Sequence, residues 1–191
     1  MDQVKRRQSD VSKSGKDWES YIYNFLIESL KDHDNIETIK LGGNNEVEAL
    51  KHKGDQYRAL YRILCIEVYY RGSFHHIPGD TDIVVYSKEF SYPVCIVSCK
   101  TSLHGRLTET LFYAVYYRLM RKIKYVLVTP DRGKQSGSYE WESEWGTNEK
   151  PSKNRLLASL FLDGVYVNNK VEFMPKNFEP KIHKTVLGGI V

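Results

Sequence analysis

With 191 residues, 41% of them hydrophobic and 27% charged, the chain can bury a single-domain core without disulfides or structural metal. Its three cysteines, Cys65, Cys95 and Cys99, lack CxxC or Cys/His ligand spacing, which argues against zinc and against a disulfide framework. The net charge is only +4, and no apolar segment is long enough for a signal peptide or membrane span, so the expectation is a soluble, cytoplasmic protein with no membrane partner.

Residues 1–14 are polar and basic and are expected to form a flexible N-terminus, with residues 15–191 as one domain. A first helix is expected to begin near Ser14 to Asp17, because Trp18, Tyr21, Ile22, Phe25, Leu26 and Leu30 line one helical face. It should end near Asp32 to Asp34. From Asn35 to Tyr57 the pattern is mixed, with room for a short strand and a short helical piece. The run from Leu60 to Tyr70 is β-branched and aromatic and reads as a strand that Arg71-Gly72-Ser73 breaks.

Asp82 to Ser87 and Pro93 to Lys100 are two further apolar runs at hairpin spacing, which together with Leu60 to Tyr70 predict an antiparallel three-stranded meander. Leu107, Leu111, Ala114, Val115 and Leu119 then follow a helical period, and Tyr125 to Thr129 reads as a buried strand reached by crossover. A polar stretch at about 131–155 is too long for a bare connection. Beyond it, Asn154 to Leu162 is a candidate helix capped by Ser152 or Asn154, and Val165 to Asn168 a short strand.

The chemistry concentrates in Gly79-Asp80-Thr81-Asp82-Ile83-Val84-Val85 and Cys95-Ile96-Val97-Ser98-Cys99-Lys100, which set an acid and a lysine at the ends of adjacent runs. Carboxylate oxygens hold a hard divalent cation, and a cation beside a phosphodiester neutralises the charge that builds on phosphorus during attack by water. Lys100 adds a compact positive charge. Asp80 is the alternative acid to Asp82, but Gly79 makes its position look more like the turn. Between residues 99 and 124, Lys100, Arg106, Arg118, Arg121, Lys122 and Lys124 face a single acid, Glu109. Such a run is a solvated helix face or a phosphate-binding one.

An acid on the first helix, an aspartate opening one strand, x-x-Lys closing the next, then helix and strand: this order resembles the PD-(D/E)XK nucleases, and within them type II restriction endonucleases. The resemblance covers roughly residues 15–130. It implies an α/β restriction-endonuclease-like core, a central mixed sheet with an antiparallel meander flanked by helices. It matches Asp82 to the family's metal-binding aspartate and Lys100 to its lysine. Ser98 stands where the family carries Asp or Glu, a departure that leaves a second acid to be found. Some relatives with Ser-x-Lys recruit a glutamate from the following helix, which points to Glu109, although it lies closer to the lysine than that arrangement requires. Glu19 resembles the first-helix glutamate, and Glu67 is held in reserve as a metal ligand or part of a buried pair.

The implied activity is Mg²⁺-dependent hydrolysis of double-stranded DNA at a specific sequence, leaving 5′-phosphates, by a homodimer. Lys100-Thr101-Ser102 with downstream Arg106 resembles the pattern that follows the catalytic strand in these enzymes. Arg106 and, in the polar stretch, Lys134, Gln135, Asn154 and Arg155 are candidate DNA contacts. His75 and His76 are loop histidines that could touch DNA, and His104 a candidate for proton transfer. The competing readings are a structure-specific junction or repair nuclease of the same fold, and a DNA-binding module with a dead site at Ser98.

Overall fold

The computed structural model describes residues 2–103, 106–130, 134–135 and 141–168. Five strands form one mixed sheet in the order β1-β4-β5-β6-β9. These are β1 (Ile36–Lys40), β4 (Ile83–Ser87), β5 (Tyr92–Cys99), β6 (Lys124–Pro130) and β9 (Gly164–Asn168). Strand β4 runs antiparallel to its neighbours β1 and β5, whereas β5, β6 and β9 are parallel. The parallel steps cross over through α4 (Leu107–Tyr116) and α5 (Lys153–Phe161), as parallel pairing requires.

Alternation along the strands feeds two cores. On one face, Trp18 and Ile22 of α1 (Asp2–Leu30) pack against Ile83, Val97, Cys99 and Val128. Trp18 also donates its ring N–H to the Val128 carbonyl at 3.3 Å, which ties the helix to β6. On the other face, Val84, Tyr86, Ile96, Tyr125, Leu127, Val165 and Val167 meet residues of α3 (Asp55–Leu64), α4 and α5. Between β1 and α3 lie the short helix α2 (Asn44–Ala49) and a 3-10 turn over Leu50–His52. Sheathed on both faces, β5 has no strongly exposed residue.

Three expectations change. The first helix starts at Asp2, not at residues 14–17. Lys5, Arg6, Arg7, Gln8 and Lys13 are unbranched helix formers, and once the Trp18 face is docked the helix propagates back through them at little cost. The run from Leu60 to Tyr70 is two elements. Tyr57, Leu60, Tyr61 and Leu64 recur at helical spacing and complete α3; only Cys65–Tyr70 (β2) is extended. Finally, β2 pairs with β3 (Ser73–Pro78) in a separate two-stranded sheet, so β1 takes the place in the antiparallel meander that was expected for Leu60 to Tyr70. His75 and His76 accordingly sit in a strand and not in a loop.

Within 131–155, β7 (Lys134–Gln135) and β8 (Trp141–Glu142) pair antiparallel, and Ser152 caps α5 by accepting from the Arg155 N–H at 3.2 Å. No helix among the described residues is long and apolar enough to cross a membrane.

The link from β3 to β4 is held tightly by a π-helical turn, Tyr117–Arg121, that continues α4. The fully buried Tyr117 donates to the Leu64 carbonyl at 2.5 Å and stacks on Tyr125 with ring centroids 5.9 Å apart. A Cβ on Gly79 would fall 2.0 Å from the Tyr117 hydroxyl oxygen, and close packing leaves that ring nowhere to go. Gly79→Ala is therefore expected to lower stability by about 1–3 kcal/mol, read as a fall in the urea midpoint.

Candidate active site

Antiparallel pairing sets Ile83 opposite Val97, so the residue before β4 and the residue after β5 emerge at one end of the sheet. Those residues are Asp82 and Lys100. The Lys100 ammonium donates to Asp80 Oδ1 at 2.8 Å and to Asp82 Oδ2 at 3.2 Å. Asp82 Oδ2 also accepts from the Cys99 backbone N–H at 2.6 Å.

The main chain around the trio is fixed as well. The Asp82 carbonyl accepts from the N–H groups of Leu41 (2.9 Å) and Gly42 (3.1 Å), the Lys100 N–H donates to Val128 O (3.1 Å), and the Tyr125 hydroxyl donates to Asp80 O (2.9 Å). The side chains of Asp82 and Lys100 are only 7% and 10% exposed, so their charges interact with little screening.

A third carboxyl reaches this end from α1. Glu19 Oε2 would lie 3.4 Å from a Cβ on Gly42, which puts it against the turn that follows β1. Burial and, after it, the Asp82 carboxylate push the Glu19 carboxyl up to about 7 against the opposing pull of Lys40, Lys100 and Lys16. Asp82 is likewise raised, first by burial, with Lys100 opposing and Asp80 reinforcing. For Lys100, burial disfavours the ammonium, but Asp82 and Asp80 outweigh it and raise its pKa, so it stays charged. Three acids thus crowd around one buried cation.

Among the described residues, no three His, Cys, Asp or Glu side chains form a ready-made metal cage. Mg²⁺ does not need one: one or two carboxylates suffice, with water and substrate phosphate completing the shell. The donors are hard oxygens, and Asp80 Oδ2 is buried 2.8 Å from the Lys100 ammonium without hydrogen-bonding geometry. The chemistry of these residues fits such an ion, which Asp82 and Asp80 would hold with Glu19 close by.

The other expected site residues spread out. Ser98 is fully buried, next to the Tyr125 hydroxyl but outside hydrogen-bonding geometry. Glu109 is exposed on the first turn of α4, and no ion pair joins it to Arg106, which precedes that helix. Its charge, like that of Asp80, helps raise the Tyr113 pKa, which burial raises most. Glu67 lies on β2, outside the five-stranded sheet, and meets His76 at 3.2 Å.

Lys134 and Gln135 are in β7, with side chains outside the described residues, as is His104. Asn154 and Arg155 sit on the first turn of α5, where Arg155 donates to Asn148 at 2.6 Å. Asp80 is the residue that the strand pattern undervalued. Its spacing of two from Asp82 was the available signal, but Gly79 suggested that the extended chain began later.

This acid-lysine end of a mixed sheet lies inside a region that matches a known family. The sequence model of the BsaWI restriction endonuclease type 2 family matches residues 56–186. The chain belongs to that family. The matched region holds Asp80, Asp82, Ser98, Lys100 and Glu109, whereas Glu19 enters from the preceding helix. No curated protein matches the chain. The type 2 restriction endonuclease family accounts for the α/β core and makes DNA the substrate.

Glu19 gives this site a pH signature. Its folded-state pKa of about 7 lies above the ordinary 4.5, so the folded protein keeps the proton to higher pH than the unfolded chain does. Stability of the metal-free protein should fall as pH rises between those two values and level off above them. Urea midpoints measured across that range check this, and Glu19→Gln should flatten the profile.

Proposed function

We propose that this chain is a type II restriction endonuclease that hydrolyses double-stranded DNA at a specific sequence, with Mg²⁺ as cofactor and 5′-phosphate ends as products. The observation that carries the reading is the buried Lys100 held between Asp80 and Asp82 at one end of the sheet. Family membership supports the activity class and the DNA substrate.

In this reading Asp82 and Asp80 would hold the ion, and Glu19 or Glu109 would supply the acid that Ser98 cannot. Bound Mg²⁺ would neutralise phosphate charge and lower the pKa of an attacking water. Lys100, kept protonated by its two acids, orients that water and stabilises negative charge on the phosphoryl oxygens. Arg106 at the start of α4 and Asn154 and Arg155 on α5 contact the duplex, with Lys134 and Gln135 as further candidates. Two copies acting as a homodimer would cut both strands of a symmetric site.

Incubation with plasmid and Mg²⁺ should give discrete fragments, and EDTA should stop the reaction. Asp82→Asn and Lys100→Ala should each lower cleavage by a factor of 10³ or more, on the order of losing a group that acts on the transition state, while leaving the thermal unfolding profile cooperative. Normal cutting by either variant contradicts the roles of both side chains. Preference for branched DNA would point to a structure-specific nuclease, and retardation without cutting to a binding module.

The helper acid is decided by two further variants. Loss of cutting in Glu109→Gln but not in Glu19→Gln selects the α4 acid, and the reverse selects the α1 acid. Cleavage rates at saturating Mg²⁺ distinguish them.

A further inference from the structure

The β2–β3 hairpin is a ribbon apart from the main sheet, and among the described residues its strands pair only with each other. Its root is firm. The Gly79 N–H donates to Leu64 O at 3.2 Å, the Tyr116 hydroxyl donates to Cys65 O at 3.2 Å, and Tyr117 secures Leu64. Beyond the root the ribbon meets water on both faces: Val68, Tyr69, Tyr70, Phe74 and Ile77 are all exposed, Phe74 to 67%. A lone two-stranded ribbon with so much apolar surface is marginal by itself and marks a contact surface.

The tip is conformationally unusual. Arg71 (φ 48°) and Gly72 (φ 85°) both occupy the left-handed region, as a tight two-residue hairpin turn demands. Asn, Asp or Gly fit the first of these positions without strain; an arginine held there is fixed at the leading edge, with its guanidinium 5.3 Å from the Tyr70 ring centroid. From Val68 to Pro78 there is no acid, while Arg71, His75, His76 and the hydroxyls of Tyr69, Tyr70 and Ser73 supply donors. Glu67, nearer the root, is already engaged by His76.

We propose that the β2–β3 ribbon is a DNA-gripping arm that enters a groove of the duplex beside the cut, Arg71 leading and Tyr69, Tyr70 and Phe74 lying against sugars and base edges. The proposal rests on the reading of the chain as a DNA-cutting enzyme. Continuity favours this occupant: β3 ends at Pro78, and Asp80, two residues on, already touches Lys100. DNA seated on Lys100 must run past the root of the ribbon. Six extended residues reach about 20 Å, and a two-stranded ribbon fits the major groove, roughly 12 Å wide. A second copy of this chain is the poorer occupant, because a two-fold contact would set this acid-free, donor-rich tip against its own like.

Arg71→Ala and the double variant Tyr70→Ser/Phe74→Ser test the arm, since these exposed positions can change while the thermal unfolding midpoint stays near wild type. Binding to a linear plasmid fragment, with Ca²⁺ in place of Mg²⁺, should weaken about 10-fold for the first and about 10- to 100-fold for the second, from lost stacking contacts. Plasmid cleavage should show the loss in KM, with kcat little changed. Unchanged binding in both variants overturns the arm even if the wild type cuts. Weakened binding that accompanies loss of a sedimenting dimer also overturns it, because the ribbon would then join subunits. Binding that weakens as expected in a protein that never cuts upholds the arm and removes the nuclease reading instead.

Discussion

One buried ammonium shared by two carboxylates sets the demands on the rest of this molecule. Taking Lys100, Asp80 and Asp82 out of water carries a large desolvation cost, which their mutual attraction offsets only with close geometry and further hydrogen bonds. The fold supplies these from many directions: the Cys99 N–H for the Asp82 carboxylate, the Leu41 and Gly42 N–H groups for its carbonyl, and the Tyr125 hydroxyl for the carbonyl of Asp80. Even so, burial and crowding leave the acids uneasy, as the raised Glu19 and Asp82 pKa values record. A site built this way holds more acid than its one lysine neutralises, which supports the proposed cation.

The stacked pair Tyr117 and Tyr125 links this charge cluster to packing. One ring hydroxyl holds the end of α3, the other holds Asp80, and Gly79 must lack a side chain for the first to fit. The π-helical turn that carries Tyr117 ends at Lys122, itself in the left-handed conformation. Irregular helix turns of this kind recur where a side chain has to be aimed at a functional region.

The central acid and lysine were legible because each ends an apolar run, and β4, β5 and β6 were legible because both faces are buried and their sequences stay apolar. The β2–β3 ribbon was not. Leu64 passes to Cys65 with no Gly or Pro between helix and strand, so the β-branched second half masked the helical period of the first. Strand β1, Ile36–Lys40, is an edge strand of half-buried residues with Glu37 and Lys40 in it, and its pattern is too weak to announce a place beside β4. Asp80 was hidden for a different reason: only the Lys100 ammonium, reaching across from the neighbouring strand, shows that it faces the same way as Asp82. Contacts between strands leave no trace in a local pattern.

The parallel alignment of β5 with β6 has its own outcome. Because Cys99 lies opposite Val128, both strands leave the sheet at the same end. The chain that departs from Pro130 into the polar excursion before α5 therefore starts out beside Lys100, whatever its own sequence dictates. The acid-lysine group is anchored in the sheet, whereas the described part of the neighbouring excursion is pinned to the body at Trp145, which is buried in the main core. Residues added or removed between Pro130 and Trp145 would leave the lysine where the sheet holds it.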